Sequence, residues 1–163
     1  MLTDEQFAAE FQSFSRSVFR VDRTAHPLGR EEEAFQRYLA GSLTPPTEYG
    51  WLRPWLAQLA QWRDNGKTFI RVRVLAEPPT DYQRWLLWGT PWMCEAGEVI
   101  QYISGPTAVQ IGLPDQEWCL FDDTRLIEMD SRRLITDPAV VAAYCEMRDA
   151  ALQNSMTAET VSF

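Results

Sequence analysis

Histidine and lysine are almost missing from this chain: His26 and Lys67 stand alone among 163 residues. With a single imidazole, a zinc site or a Cys-His nucleophile pair would need unusual partners. Cys94, Cys119 and Cys145 are well separated, odd in number and in no CxxC spacing. They read as buried reduced thiols, not as a disulfide frame or a metal clasp. Long apolar runs are missing too; the longest, residues 86–88 and 139–143, fall far short of the roughly 20 residues a bilayer span needs. The opening MLTDEQFAAEF is acidic and amphipathic, with no basic segment ahead of an apolar core, so it does not read as a signal peptide. A cytoplasmic protein without membrane contact is expected.

Positive charge is also scarce. A net charge of −8 argues against direct nucleic-acid binding, which needs clustered cations to neutralise phosphates. What is present suits one ordinary globule, with 45% hydrophobic and 23% charged residues. The expected organisation is a single domain over 1–154, made of a helical extension (1–50) and an α/β core (51–154). A flexible tail, 155–163, should follow.

Phe7, Phe11 and Phe14 recur at helical spacing behind Thr3 and Gln6, a capping-box pair. Residues 17–22, SVFRVD, alternate like a short strand. EEEAFQRYLA opens with acids and ends at Gly41, the marks of a helix start and stop. Trp51, Trp55, Leu59 and Trp62 make a stripe that predicts a helix over 51–64, ended by Asn65-Gly66. Residues 69–75 then alternate strictly, with Ile70, Val72 and Val74 on one face and Phe69, Arg71, Arg73 and Leu75 on the other. A helix capped by Thr80 or Asp81 should be interrupted at Gly89 and Pro91 and turn at Ala96-Gly97 into a strand over 98–103. Residues 105–114 read as a loop. Strands over 118–122 and 125–129 should join in a hairpin at Asp123-Thr124, and Asp137-Pro138 starts the last helix.

The order of these elements resembles one half-domain of the phospholipase D-like fold. Gly66, the stretch RVRVL, Ala96-Gly97 and the LFDD corner ending in Asp122-Asp123 fill that family's slots. The fold expected is therefore α/β (α+β), a mixed sheet flanked by helices. The family's His-x-Lys positions fall on Asp115 and Glu117. Two carboxylates supply no imidazole nucleophile and repel the anion, so phosphodiesterase chemistry is not expected. A second similarity covers nearly the whole chain: FxSFSRSVFRVD, EEEAFQRYLAG, RVRVLAEPPTDYQRW, EAGEVIQYI and WCLFDD resemble an actinobacterial domain family of unknown function. That resemblance implies genes lying beside helix-turn-helix regulators, and hence a regulatory accessory role.

The leading expectation is a non-enzymatic accessory protein that binds a helix-turn-helix regulator or a small effector. The rival is an enzyme or toxin with a carboxylate and arginine site, using Asp81, Glu98, Asp122 and Asp123 as acid or base. Candidate binding residues are Arg71, Arg73, Asp81, Tyr82, Arg84, Glu98, Trp118, Asp122 and Asp123, with the arginines either paired structurally or lining an anion or peptide pocket. Trp51, Trp55, Trp85, Trp88 and Trp92 are the candidate partner surface, because a chain this small can hardly bury so many large rings. No catalytic residue, metal or cofactor is assigned.

Overall fold

In the computed structural model, which describes residues 1–162, three parallel strands form one half of a sheet. They are β1 (Ser17–Asp22), β2 (Thr68–Leu75) and β3 (Glu98–Ser104). The other half is antiparallel, made of β4 (Trp118–Phe121), β5 (Arg125–Glu128) and β6 (Arg133–Ile135), with β4 joined to β1. The order across the sheet is β3-β2-β1-β4-β5-β6. Six helices surround it: α1 (Asp4–Ser13), α2 (Glu32–Leu39), α3 (Arg53–Asp64), α4 (Asp81–Ala96), α5 (Gly105–Gln110) and α6 (Pro138–Gln153). The mixed α/β architecture is present, and the strands expected near residues 69–75, 98–103, 118–122 and 125–129 share one sheet with the one expected over 17–22.

Local chemistry explains the boundaries. Thr3 with Gln6 and Thr80 with Gln83 make reciprocal capping boxes, and Asp137 accepts the backbone N–H groups of Ala139 and Val140. Gly97 has φ +121°, and a Cβ there would lie 3.1 Å from the Leu59 carbonyl oxygen. Only glycine fits the turn from α4 into β3.

One face of the sheet is mainly apolar. Phe19, Val21, Val72, Val74, Ile103, Trp118 and Leu120 pack there against Ala108 of α5 and Val141 and Ala151 of α6. The opposite face is apolar at one end, where Val18, Phe69 and Phe121 meet Phe14 and the α3 residues Leu59 and Trp62. Farther along β1 and β2 it becomes polar.

The fold departs from the sequence reading in several places. Residues 1–50 are more than a helical extension, because β1 lies inside the sheet between β2 and β4. α4 continues through Gly89 and Pro91. Pro91 is exposed, while Gly89 is buried where a Cβ would come within 3.3 Å of Pro46 Cγ. The missing N–H costs one bond, and the buried Trp85 and Leu87 hold the helix to the core. Residues 105–110 form a helix because Ser104 caps it and Pro106 sits in its first turn. The β4–β5 turn pivots on Asp122-Asp123, one residue earlier than expected. Both have positive φ (54° and 59°), and the Thr124 N–H reaches the Phe121 carbonyl at 3.0 Å, as in a type I′ turn. β6 gave too short a pattern to be anticipated.

The tail is docked rather than frayed. Met156 exchanges backbone hydrogen bonds with Tyr102 at 2.8 Å, and Ala158 and Val161 pack on Leu75, Leu87, Ile100 and Tyr102. Residue 163 lies outside the described residues.

Candidate functional site

The alternation of β1, β2 and β3 puts Arg20, Asp22, Arg71, Arg73, Glu98 and Tyr102 on one face. In the register, Arg20 lies beside Arg71, Asp22 beside Arg73, and Arg73 beside Tyr102. Arg71 is the centre. Its Nε donates to Glu98 Oε1 at 2.5 Å and its Nη1 to Asp22 Oδ2 at 3.0 Å. Arg73 shares that Asp22 oxygen through Nε at 3.4 Å and donates from Nη1 to the Tyr102 hydroxyl, also at 3.4 Å. The Tyr102 hydroxyl in turn contacts the Thr90 hydroxyl of α4.

Burial disfavours the charged form of Asp22. The guanidinium groups of Arg71, Arg73 and Arg20 outweigh it and hold the carboxyl well below the usual carboxylate range. Glu98 is fully enclosed, and its Oε2 has no partner among the described residues. Arg20 meets Glu117 only at 3.9 Å, and its Nε–H is buried without a partner. Orphan donors and acceptors of this kind cost about 1–3 kcal/mol each.

Above this floor is a cavity of about 510 Å³. Arg20, Asp22, Arg71 and Arg73 form its base; α3 contributes Trp55 and Gln58, and α4 contributes Tyr82, Trp85 and Met93. The stretches around Arg30-Glu31 and Tyr49–Trp51 close the sides. Tyr49 and Trp51 stack with centroids 5.7 Å apart and planes 15° from parallel, and the Arg30 guanidinium lies 5.9 Å above the Trp51 ring. Tyr82 donates to Glu31 Oε2 at 2.6 Å. Burial pushes the Glu31 carboxyl upward, partly offset by that hydroxyl, and burial with the Glu31 partner pushes the Tyr82 phenol up as well.

A family model described as a domain of unknown function, DUF6879, matches residues 5–160. The chain belongs to this family. No curated protein matches it. The DUF6879 match takes in every strand of the sheet and every side chain of the cavity.

Of the expected binding residues, Arg71, Arg73, Tyr82 and Glu98 come together in this DUF6879 domain. The other five do not join them. Asp81 is exposed in the first turn of α4, and Arg84, also exposed, does not line the cavity. Trp118 is fully buried on the opposite face, edge-on to Tyr144, because its position on β4 has the other parity. Asp122 ties down the chain entering β1, accepting the N–H groups of Ser15 (2.8 Å), Arg16 (2.7 Å) and Ser17 (3.0 Å). Asp123 pairs with Arg148 of α6. Among the tryptophans, Trp51, Trp55 and Trp85 line the cavity, while Trp88 packs on Tyr38 and Trp92. Trp51 is exposed, Trp85 is buried and the other three are half-buried. Only Cys119 is a buried thiol; Cys94 is exposed and Cys145 half-buried.

Arg20, Asp22 and Glu31 were missed. SVFRVD carries the same alternation as IRVRV, so a parallel pairing of the two strands would have aligned Arg20 and Asp22 with Arg71 and Arg73. Glu31 had no such signal, since its burial depends on Tyr82, 51 positions away. Among the described residues, no cluster of three or more His, Cys, Asp or Glu side chains could hold a metal, and no helix is long and apolar enough to cross a membrane.

Proposed function

We propose that this chain is a non-enzymatic regulatory accessory protein that takes a small effector into the cavity and has a helix-turn-helix regulator as its protein partner. One observation carries the reading: a cavity of about 510 Å³ with a charged base and aromatic walls, within the size range of small-molecule sites. The cavity carboxylates are committed, Asp22 to two arginines and Glu31 to Tyr82. A carboxylate held as low as Asp22 is a poor base. The net charge of −8 suits a basic partner by steering the encounter, and the sequence resemblance that implies such regulators as gene neighbours is what points to this one. In this reading the sheet derives from a phospholipase D-like half-domain whose nucleophile positions carry Asp115 and Glu117.

The test is affinity selection from an extract of the native host, followed by mass spectrometry of retained small molecules and proteins. Wild type should retain a metabolite that a cavity-filling Gln58→Trp variant excludes, and a helix-turn-helix protein should co-purify. Retention of nothing by wild type would defeat the reading.

The enzyme alternative has one observation in its favour: Glu31, a carboxyl pushed upward by burial, faces the cavity beside the Tyr82 hydroxyl. If the metabolite is converted by wild type and not by Glu31→Gln, the enzyme reading replaces the binding one.

A further inference from the structure

We infer that the effector is a small aromatic carboxylate, a singly charged anion carrying a planar ring; this rests on the effector reading above and narrows it. The chain carries a net charge of −8, yet this cavity is lined by four arginines, Arg20, Arg30, Arg71 and Arg73, against two carboxylates, Asp22 and Glu31. Glu98 and Glu117, behind the lining, take the Arg71 Nε and approach Arg20, so the guanidinium groups left with long contacts are Arg73, with both at 3.4 Å, and Arg20. A single oxygen of Asp22 serves both Arg71 and Arg73, and its other oxygen accepts the Thr24 N–H at 2.9 Å. Arg20 is held only by a long 3.9 Å contact to Glu117. Guanidinium forks short of acceptors in a partly enclosed site match a group with two coplanar oxygens.

The walls specify the rest. The stacked Tyr49 and Trp51, with Trp55 and Trp85 on the same cavity, present flat π surfaces suited to a planar ring. Trp51 is 37% exposed, which leaves ring area open to a ligand. A cation would meet the arginines, and a neutral hydrocarbon would leave their donors unmatched. A polyanion would be repelled by the acidic chain as a whole. A ring bearing one carboxylate satisfies all of these constraints.

Isothermal titration of the full chain with 2-naphthoate, indole-3-acetate and 4-hydroxyphenylacetate, each beside its uncharged amide, tests this. At least one acid should bind and its amide should bind about tenfold more weakly or worse. Arg20→Gln should weaken the acid about tenfold and leave the amide unchanged, whereas Trp51→Ala should weaken both. Arg30→Gln, on an exposed side chain, gives the same comparison should Arg20→Gln fold poorly. Equal affinity for acid and amide, no binding of any acid at millimolar concentration, or an uncharged metabolite recovered from the host extract would overturn the inference. Each leaves the effector reading standing, since that reading falls to a different result: an extract that deposits nothing on wild type, or turnover that Glu31→Gln abolishes.

Discussion

The two faces of the sheet use the same strands for opposite purposes. Toward α5 and α6, β1 and β2 present Phe19, Val21, Val72 and Val74 to an apolar core. Toward α3 and α4 the intervening positions are Asp22, Arg71 and Arg73, joined by hydrogen bonds, and Arg20, whose buried Nε–H has no partner. Burying apolar surface stabilises a fold at about 25 cal/mol per Å² without requiring exact partners. Burying charges rarely gains stability over hydrophobic residues of similar volume. A sheet could be apolar on both faces, so burial alone does not account for the charged side.

The comparison breaks most sharply at Arg71. Arg71→Ala strands Glu98 as a buried, uncompensated carboxylate and leaves Asp22 with the longer Arg73 contact, and urea unfolding should show a loss of about 3–5 kcal/mol. A loss below about 1 kcal/mol would mean that water or rearrangement satisfies those carboxylates and the network does not hold the fold. On the apolar face, Leu120→Ala should cost about 3 kcal/mol through its cavity, with ligand affinity unchanged in the folded fraction. Coupling of Leu120 to binding would show that the faces are not independent.

Acid should act through the charged face and the Asp122 corner. Burial opposes ionisation of Asp122, but the N–H groups of Ser15, Ser17 and Arg16 and the Arg125 charge bring its carboxyl below the ordinary value; Asp22 is lowered further by its arginines. Carboxyls depressed in the fold contribute stability that is complete above the unfolded value of about 3.9 and is lost as pH falls through the folded value. The melting temperature should therefore drop below about pH 4, and Asp122→Asn should flatten part of that slope. An unchanged slope would mean that Asp122 is protonated at the same pH in both states. The smallest effect on stability belongs to Trp51→Ala. With the ring partly exposed but stacked on Tyr49, the change should stay at about 1–2 kcal/mol while ligand binding weakens, separating wall from fold.

Strand positions were legible wherever a period-2 pattern ran long enough, as in β2, and helix starts wherever a cap stood beside a stripe, as at Thr80. Arg71 and Glu98 both stood among the candidate residues, with Glu98 no better marked as the partner than Asp81 or Asp122. The partnership of Arg71 with Asp22 was not legible, since nothing local in SVFRVD says that β1 pairs with β2. Asp122 and Asp123 looked like site residues because turn chemistry and catalytic chemistry use the same side chain. Only the three backbone N–H groups around Asp122 tell them apart. Trp118 failed for a simpler reason: strand parity puts it on the other face.

The bridge between Met156 and Tyr102 has a consequence for how copies of this chain meet. β3 ends the sheet, and an uncovered edge strand offers a row of unpaired amides to any other extended chain. The tail occupies the middle of that row and divides it into pieces too short to template a full strand. Val99, exposed on the same strand, would otherwise add an apolar foothold. Residues 155–161 thus act as a guard against edge-to-edge self-association, and a chain lacking them should aggregate at concentrations where the intact one stays dispersed.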